Sequence, residues 1–332
     1  MSLLALIGLI NLPDTMAERE KAAAFFLIKN LSPALIEAVG QELLLENIRL
    51  AFLARKEFPW AKDLPDSLFL RYVLPPVVSQ EPPEPWRRIF LDSLRPVVSG
   101  LGSAEEVAIA VNRWCGERIK YKPNQRRDQG PLETWSSGWG RCEEMTIFYI
   151  SALRALGVPA RQAYTPWWPF TESNHAWTEI YAGGNWKYAG SCEPADSLCS
   201  AWFSGPVKRS AVVLSVALGA SHGPGVYRVG ADYTLINSTE NYRDVSVLLV
   251  EARPGDSLAL SVFNYGALRT VAVLVADKKG IAACAVGKGD YILSGRDFSA
   301  LVHVRGDTTR VKPFRGAELP ESFWLRYPEE ER

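Results

Sequence analysis

Cys142 and His175 are the two residues of this 332-residue chain whose surroundings suit covalent chemistry. Cys142 follows Ser137-Gly-Trp-Gly-Arg141, in which Gly138 and Gly140 permit a tight turn. From there Met145, Ile147, Phe148, Leu153 and Leu156 recur as in a helix, and Gly157-Val-Pro159 stops it. The spacing predicts Cys142 in a first helical turn, where the dipole and free backbone N–H groups favour a thiolate. Arg141 adds to that effect, and Glu143 and Glu144 oppose it. A cysteine so placed also reads, on its own, as a buried helix cap. His175 comes 33 residues later, in Asn174-His-Ala-Trp-Thr-Glu-Ile-Tyr181, which alternates as a strand. His175, Trp177, Glu179 and Tyr181 share one face of it. Ala182-Gly-Gly-Asn185 then predicts a hairpin turn into Trp186–Gly190. The other two histidines, His222 and His303, have no motif around them. A thiol at a helix start with a downstream strand histidine is the layout of a thiolate–imidazolium pair.

These segments carry a resemblance. Gly140-Arg-Cys-Glu-Glu144, the helix end Ala152–Gln162, Asn174–Tyr181, and Trp186 followed by Gly190-Ser-Cys-Glu-Pro194 resemble the transglutaminase-like superfamily. Within it they are most similar to bacterial and archaeal transglutaminase-domain proteins, and more distantly to peptide:N-glycanases. Pro59-Trp60, Phe69 to Pro75, Tyr164–Trp167, Ala201–Phe203, Asn237–Tyr242 and Asn264-Tyr265 resemble the flanks of the first group. The resemblance implies a papain-like Cys-His-Asp core, with Cys142 as nucleophile and His175 as base. The position of the Asp is Gly190 here, which has no side chain.

If 182 pairs with 185 in the hairpin, paired numbers sum to 367, so His175 faces Cys192 with Gly190 on a diagonal. Glu193 has the opposite parity and reaches His175 only through a bulge, for which Gly190 is a suitable site. Three arrangements follow: Glu193 orients the imidazole, a backbone carbonyl or another polar side chain does so, or the triad is broken. Oxyanion donors are the Cys142 N–H and an indole N–H of Trp135 or Trp139. Trp167, Trp168 and Trp177 are candidates for an aromatic cleft, or for plain packing. No metal or cofactor is expected. Cys192 and Cys199 lack the close cysteine pairing of a zinc site, and no phosphate-binding glycine loop is present.

The elements around these residues divide into three. Residues 1–98 read as helical, with helices over Ala17–Leu31 and Pro33–Leu53 and a Pro-rich extended run, Leu74–Trp86, laid across a surface. Residues 99–210 form the cysteine core, opened by a helix with a Ser103/Glu106 capping box. Seven of the eleven tryptophans fall between 135 and 202, which marks either a packed core or a walled cleft there. Residues 211–332 alternate as strands separated by turns every 8–12 positions, as in a β-sandwich, and end in a charged tail after Pro320. The expected fold class is α+β: a helix bearing Cys142 on an antiparallel sheet, a helical N-terminal region and a C-terminal β-sandwich.

Lys+Arg and Asp+Glu both number 37, so a broad basic surface for nucleic acid is excluded. No apolar run reaches the ~18 residues of a membrane helix. Leu3–Ile10 is short and lacks a basic leader, so it does not read as a secretory signal. That fits a cytoplasmic protein, or a secreted one whose leader is replaced. Five cysteines, an odd number, do not form a disulfide scaffold. The expected activity is cysteine-dependent acyl transfer on an amide of a peptide, protein or glycopeptide, by a cysteine protease, an amidase or a transglutaminase-like acyltransferase. The competing expectation is a peptide- or glycan-binding module that keeps the fold without catalysis.

Overall fold

Ser32 and Ser103 each start a long helix by accepting a backbone N–H three residues on, from Leu35 and Glu106. The second of these is the expected capping box, Glu106 returning its carboxylate to the Ser103 N–H at 2.9 Å. The structure is a computed structural model and describes residues 12–123, 127–221, 223 and 225–312. The Leu3–Ile10 stretch, His222 and the tail after Pro320 lie outside the described residues. Contacts divide the chain into two units. The first comprises Met1–Ala163, Ala176–Ala201 and Val216–Ile236, and the second Tyr164–His175, Trp202–Ser215 and Asn237–Arg332.

The chain begins with α1 (Glu18–Asn30), α2 (Pro33–Glu57), α3 (Pro59–Lys62), α4 (Asp66–Tyr72), α5 (Trp86–Leu94) and α6 (Ala104–Arg118). Then come β1 (Lys120–Tyr121), α7 (Pro131–Ser137), β2 (Trp139–Gly140) and α8 (Cys142–Ala155). Every residue of α8 from Glu144 to Ala155 is buried, the polar Glu144, Thr146, Ser151 and Arg154 included, so the helix runs through the core of the domain. Phe148 meets Phe90 of α5 edge-on at 5.1 Å, and Phe90 stacks on Trp135 of α7 at 5.3 Å. Trp114 of α6 closes this aromatic cluster against Trp135 at 5.0 Å.

The Pro-rich segment is irregular, as its prolines require, but much of it is buried rather than laid on the surface. Two buried guanidiniums take up its carbonyls: Arg87 bonds Val73 O at 2.8 Å and Arg154 bonds Val77 O at 2.8 Å. Arg87 also reaches the Arg154 carbonyl at 2.7 Å, which ties the end of α8 to α5. Glu81 caps the segment from inside, accepting the N–H groups of Val78 and Ser79.

After α8 the chain forms β3 (Ala160–Thr165), β4 (His175–Ala182) and β5 (Asn185–Ala189), then β6 (Leu214–Leu218), β7 (Val226–Val229) and β8 (Tyr233–Asn237). All six make one sheet in the order β5-β4-β3-β6-β8-β7. β4 and β5 pair antiparallel from Thr178↔Ala189 to Ala182↔Asn185, the register predicted for this hairpin. Gly183 and Gly184 both take positive φ, 62° and 86°, as its tight turn demands. Arg161 of β3 and Glu179 of β4 form a buried ion pair at 2.6 Å.

The remaining strands are β9 (Val245–Glu251), β10 (Ser257–Asn264), β11 (Ala267–Val275), β12 (Ile281–Gly287), β13 (Gly289–Ser294), β14 (Ser299–Val304) and β15 (Thr308–Val311). They make two sheets, β11-β10-β13-β14 and β12-β9-β15. Pairing is antiparallel except between β15 and β9. Buried and exposed residues alternate along β9, so it presents one face to a core. The fold class is α+β. Among the described residues no helix is long and apolar enough to cross a membrane.

Candidate active site around Cys142

The approach to Cys142 is built from two glycines. Gly138, at φ 74°, ends α7 in the left-handed conformation and returns its N–H to Thr134 O at 3.0 Å. Gly140 lies against Glu144, whose Cβ would stand 2.8 Å from any Cβ at 140. That closeness lets the Glu144 carboxylate cap the helix by accepting the Arg141 N–H at 2.6 Å. The Arg141 guanidinium is held by Glu144 at 2.7 Å and by Asp128 at 2.6 Å, and Glu144, then the nearby Glu143 charge and Asp128, raise its pKa further.

Cys142 is the first residue of α8 and is half-buried. Its thiol donates to Glu143 Oε2 at 3.1 Å, and its sulfur accepts the backbone N–H of Ala176. Burial and then the Glu143 charge push the thiol up to about 12, the reverse of the lowering that helix position and Arg141 predict. The reason is local. Arg141 is engaged by two other carboxylates, and Glu143 alone faces the sulfur among the charges of this turn.

His175 opens β4 and is 9% exposed. Phe203 packs edge-on against its ring at 5.0 Å, Trp202 lies tilted to it at 4.8 Å, and Trp168 stacks on it at 6.4 Å. This apolar shell lowers its pKa to about 4, so the imidazole is neutral at ordinary pH. The loop before it is fixed within the second unit: the Asn264 amide bonds Trp168 O at 2.7 Å and Thr171 O at 2.8 Å.

The β4–β5 ladder ends at Ala189, so Cys192 does not continue it opposite His175. The chain turns instead, with the Glu193 N–H returning to Gly190 O and Cys192 at φ 58°. This turn brings the Glu193 carboxylate into the space that a side chain at 190 would fill. Asn112 of α6 holds the turn by donating to Gly190 O at 2.9 Å and Glu193 O at 3.1 Å. Ser191 links α8 to β4 through buried hydroxyls, Thr146 at 2.9 Å and Thr178 at 2.8 Å. The Cys192 thiol contacts that of Cys115 in the core.

The candidate aromatic residues are placed as follows. Trp135 belongs to the cluster with Phe90 and Trp114. Trp139 is half-buried, with Lys122 Nζ 4.8 Å above its ring. Trp167 lies under Arg269 at 4.6 Å. Trp168 and Trp177 are fully buried. Two residues outside the sequence-derived set emerge. Glu143 appears there only as an opposing charge, and Trp202 only within a flank. Trp202 is 59% exposed while touching His175, a combination no local pattern signals. Among the described residues no group of three or more metal-ligating side chains gathers.

Residues 93–189 match the family model of the transglutaminase-like superfamily. No curated protein gives a significant match to the chain. Among solved structures, a Cytophaga hutchinsonii protein provisionally assigned as a cysteine protease is 15% identical, over 55% of this chain and 68% of that one, at a TM-score of 0.33. Red sea bream transglutaminase is 11% identical, over 74% of this chain and 65% of its own, at a TM-score of 0.34. The segment that matches this transglutaminase-like family model carries both Cys142, at its helix start, and His175, at its strand start.

Proposed function

We propose that the protein is a cysteine-dependent acyl-transfer enzyme acting on an amide, with Cys142 as nucleophile and His175 as general base and acid. The observation that carries this reading is the hydrogen bond from the Ala176 N–H to the Cys142 sulfur. Ala176 is bonded in the chain to His175, so the start of β4 is held at the sulfur. A neutral imidazole can accept the thiol proton. The sulfur attacks the amide carbonyl, the leaving amine takes the proton back from His175, and water or an amine resolves the thioester. The Cys142 N–H at the helix start is the candidate oxyanion donor. Glu193, in the volume left by Gly190, is the candidate carboxylate to orient the imidazole. Peptides, proteins or glycopeptides are the substrate class, and no cofactor takes part.

The hydrogen bond of the Cys142 thiol to Glu143 favours a second reading, a peptide- or glycan-binding module that keeps the fold. The pH dependence of iodoacetamide labelling at Cys142, read by peptide mass spectrometry with and without His175→Ala, separates the two. A catalytic pair gives labelling that slows when His175 is removed. Labelling that follows an ordinary thiol and ignores the substitution supports the binding module.

A further inference from the structure

Three neighbouring positions on one face of α6, Asn112, Cys115 and Gly116, all meet the turn that follows β5. Asn112 donates to the carbonyls of Gly190 and Glu193. A Cβ at Gly116 would stand 2.9 Å from Cys192 O and 2.8 Å from Pro194 Cδ, so the helix backbone itself lies against the turn. Beside these contacts the Cys115 thiol hydrogen-bonds the sulfur of Cys192. Both cysteines are buried, and both belong to the first unit. Cys192 takes a left-handed backbone, φ 58°, which a residue with a Cβ adopts only where its surroundings hold it there. Its thiol donates to Met145 O of α8 at 3.5 Å. Touching sulfurs on closely seated backbones are what a disulfide needs, its Cα atoms lying roughly 4.4–6.8 Å apart.

From this juxtaposition we propose that Cys115 and Cys192 are a disulfide site, a covalent staple between α6 and the turn at 190–194. The site is independent of the assignment of Cys142 as nucleophile, although the loop it closes contains both Cys142 and His175. The oxidant is a small-molecule disulfide such as oxidised glutathione. When the turn opens, Cys192 gives up its proton and its sulfur attacks one sulfur of the reagent. The reagent's S–S bond breaks, and one glutathione thiol leaves with that proton. Cys115, the more deeply buried of the two, then attacks the Cys192 sulfur of the mixed disulfide. That bond breaks, and the second glutathione thiol leaves with the Cys115 proton. Two electrons and two protons pass from the cysteine pair to the reagent. The new bond removes open conformations of a long loop from the unfolded chain and so stabilises the fold.

The test uses the full chain with its own five cysteines. It is refolded from urea, which exposes the buried thiols, into buffers of stepped oxidised-to-reduced glutathione ratio. A parallel series stays in about 8 M urea, where the chain is unfolded. Chymotryptic cleavage at Trp114, Tyr121, Tyr188 and Leu198 puts Cys115 and Cys192 on separate peptides, apart from Cys199. Non-reducing mass spectrometry then reads the joined pair directly. In the folded chain the Cys115–Cys192 link is expected at glutathione ratios at least about tenfold more reducing than in urea, because the fold already holds the sulfurs together. The linked chain is expected to unfold at a urea midpoint on the order of 1 M above the reduced chain. Cys115→Ala should abolish both the link and the shift. A link that forms no more readily in the folded chain than in urea overturns the proposal. So does a Cys192 that stops at the glutathione adduct or pairs instead with Cys142, Cys199 or Cys284, and so does a link that leaves the midpoint unchanged.

Discussion

The Glu193 carboxylate occupies the volume above Gly190, so a Cβ added at 190 collides with it. A glycine and a glutamate three residues apart thus share the space of one side chain. Gly190→Ala is expected to expel the carboxylate and to destabilise the fold by about 1–3 kcal/mol through overpacking. In a Glu193→Ala background the same change should cost much less, because the colliding group is gone. Urea denaturation of the four proteins in this cycle measures the coupling. Equal costs in both backgrounds would show that the two residues do not compete for the space.

Asn112 determines whether that turn holds together. Its amide spans two carbonyls of the 190–193 turn from a buried position on α6. Asn112→Ala leaves both carbonyls without that donor and is expected to cost about 1–3 kcal/mol. Cys192, buried in the same turn, should then be alkylated faster than in the parent chain. A variant of parental stability with unchanged Cys192 labelling would remove Asn112 from this role.

Stability should depend on pH through both members of the proposed pair. His175 falls from 6.5 to about 4 on folding, so its contribution is complete above pH 6.5 and is lost as pH drops through about 4. The loss is on the order of 3 kcal/mol, and His175→Gln should remove that part of the acid limb. Cys142 rises from 9.0 to about 12, so its contribution is complete below pH 9 and is lost as pH climbs toward 12. Denaturant midpoints taken across the pH range for the parent, His175→Gln and Cys142→Ser read both limbs. Acid limbs that coincide in the parent and His175→Gln would contradict the buried neutral imidazole.

The Arg161–Glu179 pair makes a different kind of prediction. Both side chains are buried, and Arg161 also lies 4.0 Å from the Trp186 ring. Glu179→Ala strands a buried cation and should destabilise by about 3–5 kcal/mol. Replacing both residues by apolar ones, Arg161→Met with Glu179→Leu, should recover most of that loss. Thermal melts of the two variants compare them. A double variant as weak as the single one would mean that the pair is needed for more than charge balance.

Much of the site is legible in the sequence because it is local. Gly138 and Gly140 ahead of Cys142, and Gly157-Val-Pro159 behind it, delimit α8 through backbone constraints a few residues in range. Gly183-Gly184 sets the β4–β5 register for the same reason, since a two-residue turn leaves one way to pair its flanks. Strands β9 and β10 likewise fall in the stretch that alternates in sequence, with turn residues between them.

Relationships between distant segments were decided only by tertiary structure. Strands β6, β8 and β7 look in sequence like the strands that follow them, yet they extend the sheet that begins with β5 and β4. Alternation says which face of a strand is buried, not which sheet buries it. Parity sets Glu193 against a place beside His175, and the turn after Ala189, held by Asn112 from far up the chain, moves its carboxylate over Gly190. The charge state of Cys142 also belongs to the fold. The sequence supplies a helix start, an arginine and two acids. Which acid faces the sulfur depends on Arg141 being drawn to Asp128 and Glu144, and burial then magnifies the one charge left beside the thiol.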